Sequence, residues 1–343
     1  MYSHWNKACL GREGVTLSEH VDRFAVILNP SKNGADKIRT AFKQAVLAAG
    51  GEEPGFFETT VQDPGHQMTL DALAAGYNVI VAAGGDGTVR EVAEVLAQPD
   101  IFDREDDIDM AILPLGTGNL LARNLEMNVD DLREGIDWAI NGSTRAMDAV
   151  KVDLERVTGE IDEHVFLVMG GVGIDAEVMG DTRADLKKKV GPLAYVEAAF
   201  RKIKGSNHPV GFRIGDHAWE KRSVQSIVFA NCGKLQGGLE FIPKAKLDDG
   251  LLDVVVMTPR SPLDWARIFV KTLARAKKRI PVIDFFQNQT FAIRTAEPIL
   301  AQLDGDTVGE VISVQGKILP GSINIRVGEG RKWPGVLGTV FKR

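Results

Sequence analysis

Short, wholly apolar runs alternate with stretches of helical period along the first 120 or so residues. Phe24-Ala25-Val26-Ile27-Leu28 is apolar throughout and ends at Asn29-Pro30, as a strand buried on both faces would. Ile38, Phe42, Ala45, Val46 and Ala49 then recur at helical spacing until Gly50-Gly51 stops the helix. A weaker strand over residues 56–60 and a helix over 68–75 follow. Residues 78–83 form a second apolar strand, broken by Gly84-Gly85-Asp86-Gly87-Thr88. Val89, Val92, Ala93, Val95 and Leu96 make the next helix, and 110–113 a third strand that closes on Pro114-Leu115-Gly116-Thr117-Gly118-Asn119. This alternation predicts a doubly wound parallel sheet with right-handed crossovers. Ligands on such sheets sit at the carboxyl ends of the strands, where all three polar or glycine-rich turns fall.

After about Ala146 the texture changes. Runs at 150–154, 165–169, 210–214, 223–230, 251–257, 291–294, 299–303 and 323–327 read as strands, most without helices between them. They predict a mainly antiparallel β-sandwich, interrupted by helical stretches at 195–203 and 265–277. The fold class is therefore α/β: an N-terminal doubly wound parallel-sheet domain over 21–146 and a C-terminal β domain over 147–330. Residues 1–20 read as a loose extension and 331–343 as a tail.

Composition narrows the function. A net charge of −6 supplies no overall basic field to neutralise a phosphate backbone, so a general nucleic-acid binder is not expected. Cys9 and Cys232 make neither a disulfide framework nor a zinc site, and suit a reducing, cytoplasmic setting. The first seven residues lead into no apolar signal region, and no run approaches the length of a membrane span. Membrane contact would be peripheral, with Lys187-Lys188-Lys189 and the group Lys271, Arg275, Lys277, Lys278 and Arg279 as basic candidates.

The strongest chemical signal is Gly84-Gly85-Asp86-Gly87-Thr88. Glycines after a buried strand let the backbone turn tightly and present N–H groups to an anion, and the next helix adds its N-terminal amides and dipole. Asp86 would be wasted in an ordinary turn beside an anion, which points to a metal ion or a hydroxyl. The turn at Gly116, Thr117 and Gly118 repeats that logic, as does Asn29-Pro30-Ser31-Lys32-Asn33-Gly34. In the second half, Lys246-Leu247-Asp248-Asp249-Gly250-Leu251 could hold a hard cation through carboxylates and carbonyls, or be a plain Asp-Gly turn. Gln302-Leu303-Asp304-Gly305-Asp306 leaves the same choice open.

Other motifs fail on context. Gly171-Val172-Gly173-Ile174-Asp175-Ala176 matches a dinucleotide pattern, but Lys187–189 stand where the ribose-binding acid belongs and no βαβ pattern surrounds it. There is no P-loop lysine motif, no nucleophile-elbow serine and no histidine cluster.

Together these segments resemble the diacylglycerol kinase catalytic-domain family, which includes bacterial lipid kinases and sphingosine and ceramide kinases. The match rests on Asn29-Pro30, the 84–88 turn, 113–119, 170–175, Gly237-Gly238, 243–253 and 304–306. The resemblance implies an ATP-dependent kinase acting on a lipid hydroxyl, diacylglycerol-like or sphingoid-like, with Mg²⁺, peripheral membrane contact and possible homodimers. NAD kinases share the 84–88 turn and are the alternative, as is a non-catalytic lipid- or nucleotide-binding module. Carried over residue by residue, Asn29, Pro30, Ser31, Lys32, Asn33, Gly34, Thr60, Gly84, Gly85, Asp86, Gly87, Thr88, Val89, Arg90, Glu91, Gly116 and Thr117 match or adjoin the nucleotide-contacting positions. Lys246 and Leu251, through carbonyls, and Asp249, through its carboxylate, match a structural magnesium site. Asp306 stands where bacterial members usually carry the glutamate assigned as general base, and Asp86 matches a catalytic aspartate of the sphingosine kinase branch. Arg90 replaces a common Asn, and Leu120 a common Asp.

Overall fold

The computed structural model describes residues 21–98, 108–173, 207–234, 241–242, 245–259, 261, 263–264, 267–268 and 282–329. The expected helix at 195–203 lies outside them, as does that at 265–277 apart from Arg267 and Ile268. Both basic candidates for membrane contact also lie outside.

The first part runs β1 (Phe24–Leu28), α1 (Ala35–Ala48), β2 (Gly55–Glu58), α2 (His66–Ala74), β3 (Val79–Gly84), α3 (Asp86–Leu96) and β4 (Asp109–Pro114). Its strands pair in parallel in the order β2-β1-β3-β4. Alternate residues serve opposite faces, which is why the runs are apolar at every position. Ala25, Ile27, Ile80 and Ala82 pack with Leu73, Val89 and Val92 from α2 and α3. Phe24, Val26, Leu28 and Val81 pack with Ile38, Phe42 and Val46 of α1. The strand order reverses direction between β1 and β3, the crevice where doubly wound sheets hold ligands.

Two helices appear that the apolar periodicity did not single out: α4 (Leu120–Asn124) and α5 (Leu132–Asn141). The start of α5 is legible in hindsight. Asp131 caps it by accepting from the Arg133 amide at 3.0 Å, and Glu134 stands three residues later.

The second part comprises β5 (Ser143–Glu155), β6 (Ile161–Phe166), β7 (Met169–Val172), β8 (His208–Ile214), β9 (Glu220–Val224), β10 (Ser226–Ala230), β11 (Leu252–Met257), β12 (Ile283–Asn288), β13 (Thr290–Leu303) and β14 (Asp306–Val327). All pairings among these strands are antiparallel. Their core is built on Val152, Leu154, Phe166, Phe212, Phe229, Phe291 and Val314, with Phe229 stacked on Phe291 at 4.5 Å.

Several strand limits differ from expectation. The run 165–169 divides between β6 and β7, because the Leu167 and Val168 amides turn away to Asp304. The run 223–230 divides at Gln225, while 291–294 and 299–303 join into β13 across an irregularity that holds Pro298. β12 has no counterpart among the expected strands; the side chains along it alternate in exposure after its buried first residue. The Gly171 pattern begins in β7, an antiparallel strand between β10 and β13, which is not a dinucleotide-binding context.

The run 323–327 is the end of the 22-residue β14. That strand pairs with β13 and along β5, then lies parallel to β4 through Asn324↔Asp109 and Ile325↔Met110. Buried Arg326 secures the junction, donating at 2.8 Å to Asp109, to both Asp22 oxygens and to the Ala139 carbonyl.

Candidate active site

Three turns meet where β1, β3 and β4 end. After β1, the Asn29 amide donates to the Ala83 carbonyl at 3.0 Å, and the Asn29 side chain accepts from the Ser31 amide and hydroxyl. Gly34, at φ 101°, starts α1 in a conformation that suits glycine. After β3, a Cβ on Gly84 would stand 2.4 Å from the Thr88 hydroxyl, so only glycine fits there. Gly85 is extended at φ −93°, so its use is room, not left-handed freedom. A Cβ on Gly116 would lie 2.8 Å from the Gly85 Cα, and one on Gly85 would lie 3.9 Å from Lys32 Cε. Lys32 thus reaches over the start of α3, where free amides and a cation together favour an anion.

Asp86 is committed to the backbone. Its two carboxylate oxygens accept from the Asn119 amide at 2.9 Å and the Leu120 amide at 2.6 Å, capping α4. Asn119, at φ 47°, completes the turn by exchanging hydrogen bonds with Gly116. Burial lifts the Asp86 pKa to about 6; the two amides oppose this, while Asp304 and Asp306 add to it.

Those two aspartates both belong to the β13–β14 hairpin: Asp304 at φ 48° and Gly305 at φ 92° are the positive pair that a type I′ turn requires, and Asp306 opens β14. The Asp304 carboxylate is buried and accepts from the Leu167, Val168 and Met169 amides at 2.8, 2.9 and 3.0 Å. Its pKa is raised by burial, against the pull of those amides. Asp306 points the other way. Its Oδ2 lies 3.1 Å from where a Gly87 Cβ would stand and 3.8 Å from Arg90 Nη1, and its side chain is half exposed. A half-exposed carboxylate with free lone pairs at the edge of such a turn can accept a proton from an incoming hydroxyl.

The structure therefore gathers Asn29, Lys32, Gly34, residues 84–91, Gly116 and Asp306. Pro30, Ser31 and Asn33 are exposed on the first turn, and Thr117 is exposed on the third. Thr60 lies one strand away, past β2, where its hydroxyl accepts from the Asp63 amide at 3.0 Å and Asp63 in turn caps α2.

The 246–251 turn sits apart. Asp249 accepts from the Leu251 amide at 3.1 Å, while buried Asp148 accepts from the Gly250 and Gly321 amides, both at 2.7 Å. Burial raises the Asp249 pKa; the Leu251 amide and the Lys246 ammonium oppose this, while Asp148 and Asp248 add to it. Carboxylate and carbonyl oxygens are the donors a hard cation takes. No group of three or more His, Cys, Asp or Glu side chains gathers as a metal cluster among the described residues, so a cation here would depend on the carbonyls of Lys246 and Leu251 beside Asp249. Asn231 links the two regions by donating to the Asp148 and Leu167 carbonyls. Asp304, Asp148 and Asn231 act through such long-range bonds, which residue spacing does not reveal. The Asp-Gly hairpin signal at 304–305 was the one local clue.

Comparison with known proteins covers both parts of the chain. The diacylglycerol kinase catalytic-domain model matches residues 23–152, and that of the YegS C-terminal NAD kinase β-sandwich-like domain matches 169–327. A protein of Stenotrophomonas maltophilia named "Probable lipid kinase YegS-like" is 32% identical, over 68% of this chain and 73% of its own length. The chain belongs to the YegS-like lipid kinase family. A second member, from Pseudomonas aeruginosa, is 29% identical over 90% of this chain and 95% of its own. A crystal structure of a Bacillus anthracis diacylglycerol kinase shares the fold with a TM-score of 0.68 at 23% identity, covering 90% of this chain and 98% of that one. In these YegS-like terms, the catalytic-domain segment carries the three turns, and the sandwich segment carries Asp304, Asp306 and the 246–251 turn. Among the described residues no helix is long and apolar enough to cross a membrane.

Proposed function

We propose that this chain is an ATP-dependent lipid kinase in which Asp306 is the general base. The observation that carries the reading is the meeting of the phosphate turn with a half-exposed carboxylate brought in by the hairpin of the second part. Phosphoryl transfer asks a protein mainly to position groups and offset charge. The amides at the start of α3, with Lys32, Asn29 and Gly116, hold the phosphates. Asp86 locks the second turn to the third and so shapes the cradle. The acceptor hydroxyl gives its proton to Asp306 as its oxygen bonds the γ-phosphorus; the bond from phosphorus to the bridging oxygen breaks, and ADP leaves. Mg²⁺ bound with the nucleotide would neutralise charge on the phosphates, and Asp249 with the carbonyls of Lys246 and Leu251 would hold a second ion. The lipid stays at the bilayer and the protein docks peripherally, through the basic stretches at 187–189 and 271–279.

The test is turnover of ATP on a bacterial lipid extract in mixed micelles, with the product identified by mass spectrometry. Asp306→Ala is expected to lower kcat by roughly 10²–10⁴-fold with ATP affinity nearly intact. Near wild-type turnover in that variant would place the base elsewhere, with Asp86 next in line. NAD phosphorylation without lipid phosphorylation would replace the lipid reading altogether.

A further inference from the structure

Arg90 projects from the second turn of α3, directly behind the phosphate turn. Its side chain is only 11% exposed, and its Nε and Nη1 are buried without a hydrogen-bond partner among the described residues. The one hydrogen bond it makes there is long, Nη2 to Glu91 Oε1 at 3.4 Å. Its charge also acts on Asp304 and Glu94. Burying a guanidinium with idle donors is costly, so such an arrangement persists where the charge is needed. What it faces is Asp306, with Nη1 standing 3.8 Å from Oδ2. That separation pulls on the carboxylate without engaging its lone pairs, whereas a bidentate pair would occupy the acceptor sites a base must keep free.

We infer that Arg90 is the positioning residue for Asp306, holding that carboxylate over Gly87 from behind and touching neither nucleotide nor lipid. The inference rests on Asp306 as the base and assigns Arg90 a different task from the neighbouring phosphate-turn residues. It predicts that the two side chains act as a unit.

The test compares wild type, Arg90→Gln, Arg90→Lys, Asp306→Asn and the Arg90→Gln/Asp306→Asn double variant, measuring kcat and the KM for ATP on the same lipid micelles. Arg90→Gln should lower kcat roughly 10- to 100-fold, as loss of positioning does, and change the KM for ATP by less than about threefold. Arg90→Lys, which keeps the charge, should recover part of the loss. In the Asp306→Asn background, Arg90→Gln should cost less than about threefold. The same cost in both backgrounds, or a raised KM for ATP with kcat unchanged, overturns the inference and leaves the base assignment standing. Wild-type turnover by Asp306→Asn overturns both. Thermal denaturation monitors folding; if Arg90→Gln does not fold, Arg90→Met keeps the buried stem and supplies the same comparison.

Discussion

At the scale of single residues, the cradle is set by where a methyl group cannot go. Gly84 and Gly116 would each clash with fixed neighbours, whereas a Cβ on Gly85 meets its nearest atom at an ordinary 3.5 Å. Gly84→Ala should therefore weaken ATP binding by tenfold or more and destabilise the fold by roughly 1–3 kcal/mol, with Gly85→Ala milder on both counts. Isothermal calorimetry and urea unfolding give the two numbers, and unaltered ATP affinity in folded Gly84→Ala would remove this turn from the nucleotide site. Asp86 makes a prediction in pH. Its folded pKa of about 6 exceeds the unfolded value of roughly 4, so folding favours the protonated form. Its contribution is then most favourable below pH 4 and is lost as pH rises towards 6, a change of roughly 2–3 kcal/mol. Asp86→Asn removes this titration. The stability of wild type relative to that variant should fall between pH 4 and pH 7, and a flat difference would refute the shift. The sequence revealed that Asp86 was special; it did not reveal that its oxygens are spent on the Asn119 and Leu120 amides.

At the scale of elements, the β13–β14 hairpin carries Asp306, the proposed base, and Asp304 seats it. Asp304→Ala would leave three buried amides without their acceptor, a loss of roughly 3 kcal/mol or more. It should lower kcat as well, because Asp306 loses its anchored neighbour. Hydrogen exchange at residues 167–169 should accelerate in the variant, and unchanged exchange there would show that the amides do not depend on this carboxylate. The elements differ in how much of them the sequence discloses. β1, β3 and β4 are legible because both faces are buried, so their apolar runs are unbroken. α1 is legible because one face is buried at the spacing of Ile38, Phe42 and Val46. β6 and β7 merge in the sequence because nothing local marks the amides that leave the ladder for Asp304. β12 is hidden because its exposed side carries Phe285.

At the scale of the whole molecule, β14 is what makes the two parts one sheet system. It begins at the hairpin with β13 and ends beside β4, with Arg326 buried among Asp22, Asp109 and the Ala139 carbonyl. Arg326→Met should destabilise the protein by roughly 3–5 kcal/mol, because it leaves buried Asp109 without its cation. Calorimetric scanning reads that loss, and an unchanged melting temperature would mean the junction is held by packing alone. The same strand imposes an order on synthesis. When β1, β3 and β4 emerge from the ribosome, the outer edge of β4 has no neighbour, and its partners at 324 and 325 are still some 200 residues from being made. Until they arrive, that open edge is a template for pairing with other nascent chains, which makes this enzyme one whose truncated products should aggregate while its finished form does not.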